Sequence, residues 1–341
     1  MNSFGKLFRV SIFGESHGES VGIVVDGCPA GLPLTADDLL PDLERRKGGK
    51  QKGTTPRQEA DYPFFKSGTF NDTTTGFPIA IFFENNNTRS EDYAKQRSVP
   101  RPGHADWVAH QKFGGHEDYR GGGHFSARLT TGLVAAGAIA KKLMIGVGIH
   151  ADVIEIGGEK DLEKGLQHAI DAKDSVGGLV ECRVTGLPVG LGEPYFDSVE
   201  SVLAQMMFAI PAVRGIEFGT GFAAAKMFGS EHNDAIEDMS GKTRTNHAGG
   251  VVGGISNGNE LVFRLAIKPT SSTPKAQNSL NWDTAQTENF SIKGRHDLCV
   301  ALRAPVIVEA ATAIVLADLM LQEQRIKRIM PPSPEGGNHT G

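Results

Sequence analysis

Cations, glycines, hydroxyls and histidines are grouped along this chain in ways that suit the handling of a small anion. Arg45, Arg46, Lys47, Lys50, Lys52 and Arg57 come first, and Arg101, Arg120 and Arg128 follow, nearly all on loops or helix ends. Guanidinium groups meet phosphate and carboxylate through a planar fork, and each charge-assisted bond contributes about 1.5–3 kcal/mol when partly desolvated. A solvated charged face accounts equally for any one of them. The segment RGGGHFSAR, residues 120–128, runs glycines into a helix, where close backbone approach and free amides would favour phosphate. It lacks the spacing of a P-loop or of a dinucleotide fingerprint, so a tight turn is the alternative. In KPTSST, residues 268–273, a lysine at a strand end precedes proline and four hydroxyl side chains. They could bind phosphate oxygens or form a surface turn. His17 and His104 lie in polar loops, suited to proton transfer near neutrality. His110, His116 and His124 are spaced too irregularly for a metal site, and no HExxH pattern is present.

These groups must be positioned by a sizeable fold. At 341 residues the chain predicts two domains or one large unit, and 39% apolar with 22% charged residues is a globular composition. The 43 glycines imply many backbone positions with positive φ or close approach. A net charge of −5 argues against a general nucleic-acid or membrane-surface binder, so any basic site is local. Cys28, Cys182 and Cys299 are isolated, which fits a reducing cytoplasm and no disulfide framework. No signal peptide is evident, and the apolar run Ala304–Ala317, broken by Glu309, reads as too short to span a bilayer.

Local patterns predict strands over 7–13, 20–26 and 79–84. DDLLPDLERR reads as a helix with Thr35 and Asp38 as a capping box, although Pro41 falls awkwardly far inside it. Residues 47–62 and 85–106 read as long polar loops, and loops of that size inside compact domains are usually functional. Leu129, Leu133, Ala136, Ala140 and Leu143 recur at helical steps and place an amphipathic helix over 126–144. Further helices are expected over 159–173 and 197–209, a hairpin over 250–268 turned at Asn257 and Gly258, and a long helix from Pro305 to about Met330. The unit expected is one domain over 1–330 with a disordered tail at 331–341.

Six segments in order carry a resemblance: FGESHG (13–18), RPGHAD (101–106), DYRGGGHFSAR (118–128), NHAGGVVGGIS (246–256), KPTSST (268–273) and GRHD (294–297). Together they closely resemble the chorismate synthases, in the bacterial form without a built-in flavin reductase. The resemblance implies a lyase performing a 1,4-anti elimination of phosphate from 5-enolpyruvylshikimate 3-phosphate. Reduced FMN is required without net redox, and an external flavin reductase, with NADPH as a possible source of electrons, would supply it. His17 is implied as an acid that keeps the flavin protonated, His104 as the acid near the departing phosphate, and Asp297 as the carboxylate relaying a proton from flavin N5. The implied FMN site is His124, Phe125, Ser126, Pro211, Ala212, Gly253, Lys268, Pro269, Thr270, Ser271, Ser272 and Arg295. The implied substrate site is Ser16, Arg46, Lys52, Arg57, Arg101 and Arg128, with closure of the 47–57 loop. The fold implied is α+β: an internally pseudo-symmetric β-α-β sandwich, helices between two antiparallel sheets, assembled as a homotetramer.

Several positions depart from the family pattern. His124 and Phe125 stand where Arg and Ser are common, Pro211 replaces an Asn, and Lys52 offers a point charge in place of a guanidinium fork. Two other readings fit the same loops: a non-catalytic binder of flavin or of an anionic metabolite, which needs no histidine pair, and a phosphohydrolase. The latter calls for a metal-ligand cluster or a nucleophile in recognisable context, and the sequence displays neither.

Overall fold

The structure is a computed structural model that describes residues 2–49, 51–55, 59–86, 97–292 and 296–330. Its first half is an antiparallel sheet built from Ser3–Phe4 (β1), Arg9–Gly14 (β2), Ser20–Asp26 (β3), Phe64–Ser67 (β4) and Ile79–Glu84, which follows a small ribbon of Thr69–Phe70 (β5) and Thr73–Thr74 (β6). With Ile79–Glu84 as β7, the order is β1-β2-β3-β7-β4. Alternation along β3 and β7 sends Val21, Ile23 and Val25 with Ile79, Ile81 and Phe83 to the buried face.

The second half is a four-stranded antiparallel sheet of Gly148–Ile156 (β8), Gly178–Thr185 (β9), Val213–Phe218 (β10) and Leu261–Ile267, with Val251–Val252 (β11) and Ile255–Ser256 (β12) forming a separate ribbon. Numbered β13, Leu261–Ile267 lies between β9 and β10 in the order β10-β13-β9-β8. A last ribbon joins Gln277–Asn281 (β14) to Gln286–Phe290 (β15). The helices are Leu40–Arg46 (α1), Asp106–Phe113 (α2), Thr130–Leu143 (α3), Leu162–Ala172 (α4), Val199–Ala209 (α5), the single turn Gly229–His232 (α6) and Ala304–Gln322 (α7).

Two helices fill the space between the sheets: α3 packs on the first, α7 on the second, and the two pack on each other. This is the α+β sandwich that the resemblance implied. At the crossing a Cβ on Gly137 would meet the Cα of Ala310 at 2.3 Å, so the absent side chain sets the helix separation. Helix α7 is apolar on every side and buried from Ala304 to Met320, as a central core helix should be. With its preceding turn, Val300–Gln322 is long and apolar enough to cross a membrane, contrary to the sequence expectation, but 89% of its most apolar window is buried inside the fold.

Both acids of α7 have partners. Glu309 accepts two bonds from Arg45 at 2.7 Å, one from Lys141 at 2.9 Å and one from the Ala151 amide. Burial opposes its ionisation, and the Arg45 hydrogen bond and Lys141 outweigh that, holding its carboxyl below the usual range. Asp318 accepts from the amides of Lys6, Leu7 and Phe8 and thereby fixes the entry to β2.

Some expectations need correction. Helix α1 begins at Leu40, which puts Pro41 in the first turn where its missing N–H costs nothing; Asp38 still accepts from the Thr35 amide at 2.8 Å, but before the helix starts. No hairpin turns at Asn257–Gly258. The turn is at Gly253–Gly254, and β13 instead pairs with β9 and β10, which occupy both its edges. Helix α7 stops at Gln322, and the chain returns through Gln324, at φ 54°, to bridge Ile329 with Ala30. The expected tail lies outside the described residues.

Candidate active site

A cleft of about 700 Å³ opens where the edge of the first sheet meets the junction of α5 and β10. Its walls come from β1 and β2, the glycine turn before α3, the end of α5, and residues 101–105, 210–214, 268–272 and 296–300. The glycine turn is the pivot. Gly121, Gly122 and Gly123 have φ of 59°, 85° and 51°, so RGGGHF makes a tight left-handed turn and does not lead straight into a helix. Ser126 caps the following turn by accepting from the Arg128 amide at 3.2 Å, and α3 starts only at Thr130. The expected phosphate seat on a helix N-terminus is therefore not what this segment builds. A Cβ on Gly121 would meet the His17 ring at 2.2 Å, and one on Gly122 the His104 ring at 3.1 Å. The glycines let two imidazoles lie against backbone.

His104 faces the cleft with its chemistry fixed from behind. Its Nδ1 lies 2.5 Å from Asp106 Oδ1, and the same carboxylate accepts from Arg101 Nε and Nη2, both at 2.7 Å, and from the Arg101 amide at 3.0 Å. Burial resists ionisation of Asp106, but the Arg101 and His104 hydrogen bonds outweigh it and hold the carboxyl well below the usual range. An ionised carboxylate only accepts, so Nδ1 carries the proton and Nε2 is left to exchange one with the cleft.

Next to His104 along the wall, Lys268 Nζ donates to the Gly103 carbonyl and to Ser271 Oγ, both at 2.8 Å. Burial, and then the nearby Arg214 guanidinium, push Lys268 below the usual ammonium range. Thr270 Oγ1 is buried among these groups with no hydrogen-bond partner among the described residues, as is Nε2 of His124, whose Nδ1 bonds the Gly14 carbonyl at 2.8 Å. Ser272, Pro269, Pro211, Ala212, Phe125 and Ser126 complete this wall. Ala212 has a φ of 75°, and its carbonyl accepts from the Lys268 amide at 2.9 Å, tying the two segments together. A concave site of this volume, with paired cations, several hydroxyls and two buried polar atoms without partners, fits a planar ligand bearing a phosphate.

A family model described as chorismate synthase matches residues 8–321. The chain belongs to the chorismate synthase family. The chorismate synthase of Chitinophaga pinensis is 68% identical over 330 residues, covering 96% of this chain and 99% of its own. That of Dehalococcoides mccartyi is 45% identical, covering 96% and 99%. A crystal structure of a chorismate synthase superposes with a TM-score of 0.72 at 26% identity, covering 96% of this chain and 95% of the other. Chorismate synthases are carbon–oxygen lyases of the shikimate pathway, and the residues gathered here fit the FMN that the family uses.

The fold brings together most of the residues expected from the family motifs. His104, Asp297, Arg101, His124, Phe125, Ser126, Pro211, Ala212 and Lys268 to Ser272 all line the cleft. Asp297 accepts from the Thr55 amide at 2.8 Å and from Arg303 at 3.0 Å. His17 and Ser16 lie behind Gly121, His17 Nδ1 being 3.0 Å from Ser16 Oγ. Arg46 and Arg128 are buried and share Asp61; Arg46 also donates to Thr130 Oγ1 and the Ala127 carbonyl, two residues of the cleft wall. Its surroundings push Arg46 down to about 9, through burial first and then the charge of Arg303. Lys52 reaches Gln167 on α4, and Gly253 sits at the tip of the β11–β12 ribbon, neither of them in the cleft wall. Arg57, Arg295 and Lys50 lie outside the described residues.

Arg45, Lys47 and Arg120, first grouped with the anion-binding cations, pair instead with Glu309, Glu44 and Asp118. Sequence reasoning missed Asp106, Arg303 and Arg214. Asp106 stood in the quoted RPGHAD segment, and its acid two residues after the histidine was the available signal.

Proposed function

We propose that this cleft binds reduced FMN beside 5-enolpyruvylshikimate 3-phosphate and performs the 1,4-anti elimination that yields chorismate and phosphate. The observation that carries this reading is His104 lining the cleft with its Nδ1 held by ionised Asp106, in a wall that also carries cations and hydroxyls. In the elimination the C3–O bond breaks with its electron pair leaving on phosphate, a hydrogen leaves C6, and a double bond forms. His104 delivers a proton from Nε2 to the departing phosphate, while Arg101 holds the anion next to it. Asp297, which accepts from Arg303 and the Thr55 amide, takes up a proton elsewhere in the cleft. His17 holds a proton behind the glycine turn. His124, Phe125, Ser126, Pro211, Ala212 and Lys268 to Ser272 hold the cofactor, with Arg295 as a further contact. Reduced FMN, when bound, lends the substrate electron density that side chains lack. Arg46 and Arg128 give the floor of the site its positive charge and, with Ser16, Lys52 and Arg57, attract the phosphate and two carboxylates of the substrate.

Residues 1–330 act as one unit, supported by a hydrophobic core continuous between both sheets. The enzyme works in the cytoplasm and receives reduced flavin from an external reductase that can draw on NADPH. It assembles as a homotetramer, for which the exposed Tyr195, Phe196, Phe222, Phe228, Ile236 and Met239 offer apolar contact surface. No nucleic acid or membrane takes part.

An anaerobic assay with substrate and chemically reduced FMN, read by chorismate absorbance, tests the reaction. Chorismate formed only with reduced flavin is the expected result. Flavin binding without product would favour a binding protein.

A further inference from the structure

Arg214 was singled out by no motif, yet the backbone is irregular on both sides of it. Two residues before it, Ala212 takes a left-handed φ of 75°, a conformation unfavourable for a residue with a Cβ. In the ladder between β10 and β13, Val213 pairs with Ile267 and Gly215 with Ala266, so Arg214 is an extra residue without a partner on β13. Such a bulge re-aims the side chain it carries, and here the bulged residue lines the cleft. Among the described residues no carboxylate forms an ion pair with either Arg214 or Lys268. Of the other cleft-lining cations, Arg101 is paired with Asp106. Two cations without counterions, close enough that one perturbs the other, share a wall with the hydroxyls of Thr270, Ser271 and Ser272, and Thr270 Oγ1 is buried without a partner.

We propose that Arg214, aimed by the β10 bulge, joins Lys268 and the 270–272 hydroxyls as the seat of a phosphomonoester dianion and makes the cleft select phosphorylated ligands. The inference rests on the reading of the cleft as a site for FMN and a phosphorylated substrate. Two phosphates could occupy the seat, that of FMN or that of the substrate. Arg214→Gln removes the charge and keeps the length, and Arg214→Lys restores a point charge.

The test is a set of dissociation constants on full-length protein: FMN and riboflavin by flavin fluorescence, and substrate by calorimetry on the FMN-loaded enzyme. Wild type should bind FMN more tightly than riboflavin. If FMN binds about tenfold more weakly to Arg214→Gln, riboflavin binds unchanged and Arg214→Lys recovers part of the loss, the seat holds the flavin phosphate. If the flavin constants are unchanged and only substrate weakens, the seat stands and its phosphate is the substrate's. If FMN, riboflavin and substrate all bind Arg214→Gln as they bind wild type, or all weaken equally in a variant with a native melting curve, the seat is refuted. If wild type binds neither flavin, the reading of the cleft fails before Arg214 is in question.

Discussion

Asp106→Asn isolates the contribution of one oxygen pair to the chemistry. In the native site Oδ2 accepts from the Arg101 amide and Nε, and Oδ1 from Arg101 Nη2 and His104 Nδ1. An asparagine keeps the shape but has one acceptor oxygen. If its NH2 faced the Arg101 amide and Nε, it would meet two donors that cannot adapt. The favoured flip keeps the carbonyl there and turns the NH2 toward Arg101 Nη2 and His104 Nδ1. His104 can answer by moving its proton to Nε2 and accepting at Nδ1, where Arg101 Nη2, 3.0 Å away, can donate in place of its lost bond to the carboxylate. The ion pair is then lost, a cost of about 3 kcal/mol in stability. The chemical cost is separate. A neutral imidazole with its proton on Nε2 and its acceptor tied up by an amide is a poor acid, and general acid–base catalysis contributes roughly 10²–10⁴-fold. The expectation is a kcat lower by about 100-fold or more with KM for substrate changed by only about two- to threefold. Anaerobic steady-state kinetics with reduced FMN supply both constants, and imidazole nitrogen NMR reports the tautomer directly. A variant with wild-type kcat, or one whose loss falls wholly in KM, would show that the Asp106 contact only builds the loop.

Three further outcomes follow from the packing. Gly121→Ala should lower stability by at least about 2 kcal/mol and depress turnover, because its Cβ would lie 2.2 Å from the His17 ring at a φ of 59°. Gly253→Ala, at a φ of 63° with nothing within 4 Å, should cost only about 1 kcal/mol in the same denaturant titration, and equal losses would remove the steric argument. Asp318→Ala leaves three amides of residues 6–8 without their acceptor and should destabilise the fold by about 3 kcal/mol, with hydrogen exchange quickening first at the start of β2; uniform exchange would contradict this. Asp106 and Glu309 both have depressed folded-state carboxyls, so their stabilisation is complete above the unfolded-state range near pH 4 and is lost as pH falls through the lower folded values. Melting temperature should be flat from about pH 7 to 5 and fall below about pH 4, less steeply in Glu309→Gln, and an unchanged slope in that variant would discount the Arg45–Glu309 contact.

The residues that determine local conformation were readable in order along the chain. Runs of β-branched, aromatic and apolar residues placed β2, β3 and β7, and helical spacing placed α3 within a few residues, because these patterns record which elements meet a core. The family motifs likewise fixed His104, Asp297 and the 268–272 segment, all of which line one cleft. What failed was whatever depended on a distant partner. Strand β13 read as half of a hairpin because Asn257–Gly258 is a good turn signal, but β9 and β10 compete for its edges and satisfy both. Arg45 and Lys47 read as members of one anion-binding set, since charge and spacing do not reveal a counterion. Arg45 finds Glu309 across 264 positions of sequence, while Arg46 and Arg128 converge on Asp61. Arg214 carried no local signal at all, because its direction comes from a bulge that exists only once β10 is paired with β13. The sequence by itself therefore determined the family, the elements and the chemical types at the cleft. Tertiary structure decided which charges are neutralised inside the fold and which face the cleft, because a buried charge must be paired and its partner is chosen by packing, not by sequence distance.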